Sequence, residues 1–222
     1  MKIDVITIFP AMFESVLTTS IIKRAQEFSA AKIKIHDLRD WATDKHRVVD
    51  DRPYGGGPGM VLKVDVLHAA ISDLKKQHPE SLVILLTPQG KKYSQKQAEQ
   101  LSAEKNLILV AGHYEGFDDR IRKYVDLEIS IGDYVLTGGE LPAMVVIDSV
   151  IRLLPGVLGD ENSAPTDSFS SGGLSHPQYT RPEEFEGEKI PAVLLSGNHQ
   201  QIEEWRQEQA KKRTKSRRPD LI

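Results

Sequence analysis

The chain has 222 residues, no cysteine and a formal net charge of −3, from 29 basic and 32 acidic residues. That length suits one or two domains with a sizeable core, and the lack of thiols excludes disulfides, thiolate zinc sites and every cysteine-nucleophile mechanism. The acidic balance argues against a protein that coats nucleic acid over its whole surface, while leaving room for a local basic patch. No apolar run approaches the roughly 18 residues of a membrane span. The start, Met1-Lys2-Ile3-Asp4, carries an acid where a signal peptide would not. The expectation is a cytoplasmic enzyme or binding protein with no membrane segment.

In chain order, residues 3–9 read as a buried strand, and Pro10 opens a helical run over 12–28. Residues 32–38 alternate polar and apolar, as a strand with one wet face does. Residues 39–60 are charged and then glycine-rich, a long loop. The spacing predicts an amphipathic helix over 64–77, a strand over 82–87, a helix over 94–104 with Ser94 as N-cap, and a strand over 107–111. A short helix over 118–125, a strand region over 126–136 and an apolar helix over 141–154 follow. Such strand–helix alternation implies an α/β fold, a mostly parallel sheet with helices on its faces. After Pro155 the composition changes. Residues 156–191 are rich in Gly, Ser, Pro and Asp, and from His199 onward the pattern is helical. The domains are therefore expected at 1–160 and 176–222, the second small and helical, with a linker at 161–175.

Three strand ends run into glycine: Pro88-Gln89-Gly90, Gly112-His113-Tyr114-Glu115-Gly116, and the stretch 131–140 (IGDYVLTGGE). Ligands in α/β proteins sit at the carboxyl ends of strands, so the three exits point to one pocket. Residues 50–60 (DDRPYGGGPGM) hold four glycines in five positions, but Met60 and Val61 stand where a phosphate-binding loop has its Lys-Ser/Thr, so an NTPase is rejected. Arg52 and its flanking acids, Asp50 among them, can touch a polyanion or a base. The spacing of His113, His176 and His199 gives no permanent metal site, although a loosely held Mg²⁺ needs few protein ligands. Arg206, Lys211, Lys212, Arg213, Lys215, Arg217 and Arg218 crowd the tail against Glu208, a pattern that suits phosphate contact. By spacing alone, Asp167 reads as a turn or cap residue and Arg152 as a charge complementing a helix C-terminus.

Taken together, the motifs carry a resemblance. They are 50–60, 88–90, 112–118 (GHYEGFD), 131–143 (IGDYVLTGGELPA), 155–159 (PGVLG), 167–169 (DSF), 177–182 (PQYTRP) and 194–199 (LLSGNH). In this order and at this length they resemble the bacterial tRNA (guanine-N1)-methyltransferases, the TrmD family of the SPOUT superfamily. The resemblance implies a deep trefoil knot, which pattern reading would not have expected because knots are nearly absent from proteins. It implies a homodimer whose active site is shared between subunits, with S-adenosylmethionine held by the knot loops and tRNA as the partner. The substrate would be the guanosine at position 37, beside the anticodon, when another guanosine precedes it. Its N1 methylation helps to maintain the reading frame.

Carried over residue by residue, the donor site comprises Pro88, Gln89, Gly90, Gly112, Tyr114, Glu115, Gly116, Ile131, Gly132, Tyr134, Leu136, Gly138, Gly139 and Pro142. The general base falls on Asp167 and its assisting arginine on Arg152. RNA contacts are expected from Asp50, Arg52, Lys211, Lys212 and Arg213. Where the family usually has an acid and then Gly-Leu-Leu after the Asp-Ser-Phe motif, this chain has Ser171-Gly172-Gly173-Leu174. That departure implies a more mobile linker and weakens any Mg²⁺ role there. The last domain is also expected to be shorter than in many members. The rival readings are another knotted methyltransferase, acting on ribose or ribosomal RNA, and a non-catalytic RNA-binding protein that keeps the fold.

Overall fold

The computed structural model describes residues 1–159 and 163–222. The chain divides into two compact units, Met1–Gly159 and Asp160–Ile222. Residues 160–162, at the junction expected between first domain and linker, lie outside the described residues.

The first unit is built on one five-stranded parallel sheet. Its first strand, β1 (Lys2–Thr7), leads through a 3₁₀ turn into two short helices, α1 (Glu14–Leu17) and α2 (Ser20–Glu27). One continuous helix was expected over 12–28. The break falls where the Thr18 and Thr19 hydroxyls donate back to the carbonyls of Glu14 and Ser15 and Ser20 takes a φ of 50°. Such hydroxyl bonds compete with helix propagation. Edge strand β2 (Lys32–Asp37) follows. The stretch read as a plain loop contains a small hairpin, β3 (Asp50–Asp51) against β4 (Val61–Leu62), so the glycine-rich residues are its tip.

Helix α3 (Val64–Gln77) matches its predicted bounds. Strand β5 (Leu82–Lys92) runs five residues past the predicted end, because residues 87–90 form a bulge. Leu86 and Lys91 both pair with Ile129 on either side of it. Helix α4 (Gln95–Ser102) starts after Ser94, which makes no side-chain cap bond. Strand β6 (Asn106–Ala111) lies at the centre of the sheet, flanked by β1 and β5. The predicted strand over 126–136 shrinks to β7 (Leu127–Ser130), and the remainder is loop. Apolar helix α5 (Glu140–Ile151) closes the unit's main elements.

Buried strands show why the run at 107–110 is apolar throughout. Side chains alternate between faces, so Leu107 and Leu109 enter the core beneath α5, while Ile108 and Val110 enter the core beneath α3. Each fully buried Leu or Ile contributes about 1.5–3 kcal/mol relative to exposure, so both faces hold the sheet. Asp4, on β1, is buried beside the edge strand β2. Burial alone would raise the Asp4 carboxyl, but the His36 hydrogen bond at 2.7 Å and the nearby Lys2 ammonium hold it below its ordinary value.

The second unit contains the short helix α6 (Ser163–Thr166), a small hairpin of β8 (Glu184–Phe185) and β9 (Glu188–Lys189), and the long helix α7 (His199–Arg217). Asn198 caps α7, accepting from the Gln201 N–H at 3.2 Å. The linker was expected over 161–175, of which residues 163–175 are described. Their later part is anchored within this unit, since the Leu174 N–H donates to the buried Thr214 hydroxyl at 2.9 Å and the Arg218 guanidinium lies over the Phe169 ring. Among the described residues no helix is long and apolar enough to cross a membrane.

Candidate active site

The bulge in β5 and the carboxyl ends of β6 and β7 meet at one cavity of about 300 Å³, at the lower end of the range for small-molecule pockets. The expected strand end at 88–90 is thus a bulge within β5. The β5 bulge supplies Pro88 and Gln89. The β6 exit supplies Gly112, Tyr114, Glu115 and Gly116. The loop after β7 supplies Ile131, Gly132, Tyr134, Leu136, Gly138 and Gly139, and α5 adds Pro142. Of the residues carried over for the donor, only Gly90 does not line the cavity. A Cβ at Gly90 would stand 2.5 Å from the backbone of Glu128 and Ile129, so its role is to let the bulge lie against β7.

The third loop folds back across the second. The Gly139 N–H donates to the Gly112 carbonyl at 2.7 Å, and His113 and Gly138 form an antiparallel bridge. This approach is close enough to require glycine, because a Cβ on Gly139 would lie 2.6 Å from the Gly112 nitrogen and 2.8 Å from the Ala111 Cα. The β3–β4 hairpin docks on the same region. The Glu115 N–H donates to the Met60 carbonyl and the Leu62 N–H to the Gly116 carbonyl. At the hairpin, Asp50 is half-buried, Arg52 is exposed, and Tyr54 projects fully into solvent.

The cavity has an apolar floor, with Leu85, Leu86, Ile121, Ile129, Leu136 and Pro142 among its walls, and an acidic rim of Glu115, Asp118 and Asp119. The Arg120 guanidinium, doubly bonded to Asp118, holds that carboxyl below the usual carboxylate range. Beside the cavity, the buried Glu140 carboxylate accepts from the Thr7 hydroxyl at 2.7 Å at the start of α5, where the helix dipole favours negative charge. His113 Nδ1 lies 3.8 Å from Glu140, buried without a hydrogen-bond partner among the described residues. The lining thus combines apolar side chains with carboxylates, two of which, Asp118 and Asp119, are paired with Arg120 and Arg122. No group of three or more His, Asp or Glu able to hold a metal ion occurs among the described residues.

Sequence reasoning missed several lining residues. His113 and Phe117 stand inside a motif already singled out, so proximity could have found them. Arg122 carried no signal, because its place depends on three separate elements. Asp167 and Arg152 lie in different units. Arg152 is the C-terminal cap of α5. Asp167 is half-buried in the turn after α6, with its N–H on the Ala164 carbonyl at 3.3 Å. Of the RNA candidates in the second unit, Lys211 and Lys212 are exposed on α7 and Arg213 is half-buried. The tail's acids are more numerous than Glu208 alone. Lys212 pairs with Glu208 at 2.8 Å, Arg218 with Asp220 at 2.7 Å, and Arg206 approaches Glu203 at 3.8 Å.

Fold and site together define an α/β protein with a small-molecule pocket at the carboxyl edge of a parallel sheet. The tRNA (guanine-1)-methyltransferase TrmD family model matches residues 1–222. Among similar proteins, the Geobacillus kaustophilus tRNA (guanine-N(1)-)-methyltransferase is 57% identical over 223 residues, covering 100% of this chain and 91% of its own length. Proteins of the same name from Anoxybacillus flavithermus and Geobacter sp. strain M21 are 59% and 53% identical, each across 100% of this chain and over 91% and 90% of their own lengths. The chain belongs to the tRNA (guanine-1)-methyltransferase TrmD family.

Proposed function

We propose that this protein transfers a methyl group from S-adenosylmethionine to N1 of the guanosine at position 37 of tRNA, giving 1-methylguanosine, and that it works in the cytoplasm. The observation that carries the reading is the convergence of the β5 bulge and the glycine-rich exits of β6 and β7 on one cavity, in a chain that matches the family from end to end. The residues present fit the donor, since the apolar walls suit an adenine ring and Glu115, a lining carboxylate, can offset a sulfonium charge. When bound, the donor supplies an electrophilic methyl group on that sulfonium.

Guanine N1 carries a proton at neutral pH and cannot attack until it is lost. Asp167 accepts that proton as general base. Arg152 offsets the negative charge that builds on O6. No step is assigned to Mg²⁺. The crossing loops at 112–118 and 131–139 are read as parts of a deep trefoil knot. The molecule acts as a homodimer in which the donor loops of one subunit work with Asp167 of the other. The second unit grips tRNA.

Primer extension tests the target position, because a methyl on N1 blocks the Watson–Crick edge. Reverse transcription of treated tRNA is expected to stop just before position 37, only with donor present and only when guanosines occupy positions 36 and 37. Methyl incorporation without such a stop would point to ribose or another base and would overturn the reading.

A second expectation concerns the tail. Its ion pairs are exposed and screened by solvent, so phosphates can replace them. Changing Lys211, Lys212 and Arg213 to alanine should weaken tRNA binding. The slope of log affinity against log salt should flatten by about 0.9 for each duplex phosphate that the variant no longer neutralises. Donor binding should not change. An unaltered slope with unaltered tRNA affinity would make this stretch an ordinary solvated helix face.

A further inference from the structure

Arg122 lines the cavity, and its guanidinium reaches acceptors on three elements. Nη2 donates to Gln89 Oε1 in the β5 bulge at 2.6 Å, Nε donates to Asp119 Oδ1 in the 3₁₀ turn after β6 at 2.6 Å, and Nη1 donates to Glu128 in β7. A planar guanidinium with five N–H groups can serve three directions at once, whereas a lysine ammonium cannot match that plane. The bond also fixes the orientation of Gln89. Arginine has no acceptor, so the side-chain oxygen of Gln89 must face it. The Gln89 amide nitrogen is then the polar atom left to act at the mouth of the cavity.

We propose that Arg122 is a positioning residue for the methyl donor: it takes up the Gln89 carbonyl, so that Gln89 presents only N–H donors to S-adenosylmethionine. This rests on the donor reading above. The matching acceptor on the ligand is a ribose oxygen, an adenine ring nitrogen or the carboxylate. Gln89 is exposed and would otherwise sample many rotamers. Holding it in place reduces the ordering cost of binding. Asp119 and Glu128 fix the guanidinium in turn, so the three bonds act as one unit.

The test is a double-mutant cycle on the full chain, read by calorimetric titration with S-adenosylmethionine and by steady-state kinetics with tRNA. Arg122→Lys and Gln89→Ala should each raise the donor Kd and KM about five- to tenfold, the scale of one net hydrogen bond. In both, kcat should stay within about twofold of wild type. The double variant should bind no worse than Gln89→Ala alone, because the two residues deliver one hydrogen bond to the donor. Losses that multiply, or a fall in kcat with KM unchanged, would overturn the proposal.

Gln89→Glu keeps a partner for Arg122 but removes the N–H donors, and so covers the case in which Arg122→Lys does not fold. It should weaken donor binding about tenfold or more, and wild-type affinity in that variant would overturn the proposal. Wild-type protein that binds no donor would sink both this inference and the functional reading. Normal wild-type binding with independent effects of the two substitutions would sink this inference alone.

Discussion

Asp167→Asn is expected to keep donor and tRNA affinities within about threefold of wild type while single-turnover methyl transfer falls by about 10² or more, the range of general-base effects. A protonated guanine N1 has no free lone pair in the ring plane, so the proton must leave as the methyl bond forms. An amide of the same shape cannot accept that proton at neutral pH, yet it keeps the half-buried turn after α6 filled. Rapid-quench measurement under saturating enzyme separates this step from binding and release. A rate near wild type would remove Asp167 from the role of base, whatever the steady-state numbers show.

Gly139→Ala should have an effect of similar size for a different reason. The added Cβ would fall 2.6 Å from the Gly112 nitrogen and 2.8 Å from the Ala111 Cα. Those atoms are backbone at the end of the central strand, with no rotamer to turn aside. To accept the methyl, the loop must lift away from β6, stretching the bond from Gly139 to the Gly112 carbonyl and deforming the cavity. Donor affinity is expected to drop more than about 10²-fold, and unfolding free energy by about 1–3 kcal/mol, the usual range for an overpacked core site. Calorimetric titration and denaturant unfolding would read the two effects. Gly159→Ala is the control, since a Cβ there meets nothing within 4 Å. Donor binding by Gly139→Ala equal to that of the control would contradict the crossed-loop account of the pocket.

Legibility in the sequence followed the locality of the physics. Helix α3 was readable to the residue because its apolar stripe is a property of one segment. Strand β6 was readable because both its faces are buried, which leaves a continuous apolar run. Residues 131–136 misled. Ile131, Tyr134, Val135 and Leu136 have strand-forming side chains, but they wall the cavity rather than pair in the sheet. The end of β5 was lost for the opposite reason. Lys91 and Lys92 are polar, and they regain β7 only after a bulge that tertiary pairing creates. The break after α1 turned on two threonine hydroxyls that bond locally, a detail that apolar periodicity does not report.

The site was legible through its glycines, since a glycine marks where backbones or ligands come close. Gly90 shows the limit of that signal, because the backbone it accommodates is β7 and not a ligand. Asp167 and Arg152 were invisible to spacing, which made them a turn residue and a helix-end charge. Their positions agree with those plain descriptions, and the chemical roles proposed for them rest on the resemblance of their motifs to the family's. Arg122 was invisible to both routes, because its meaning lies in where Gln89, Asp119 and Glu128 arrive in space.

The central claim is that the methyl group goes to N1 of guanine, and the product nucleoside tests it most directly. Wild-type protein is incubated with S-adenosylmethionine and a tRNA carrying guanosines at positions 36 and 37. The RNA is digested to nucleosides, which are separated and identified by mass and by co-elution with standards. A single new species, 1-methylguanosine, with the added mass on the base and not on the ribose, is the predicted result. A methylated ribose, a different methylated base, or no methylated nucleoside from folded protein with bound donor would contradict the account.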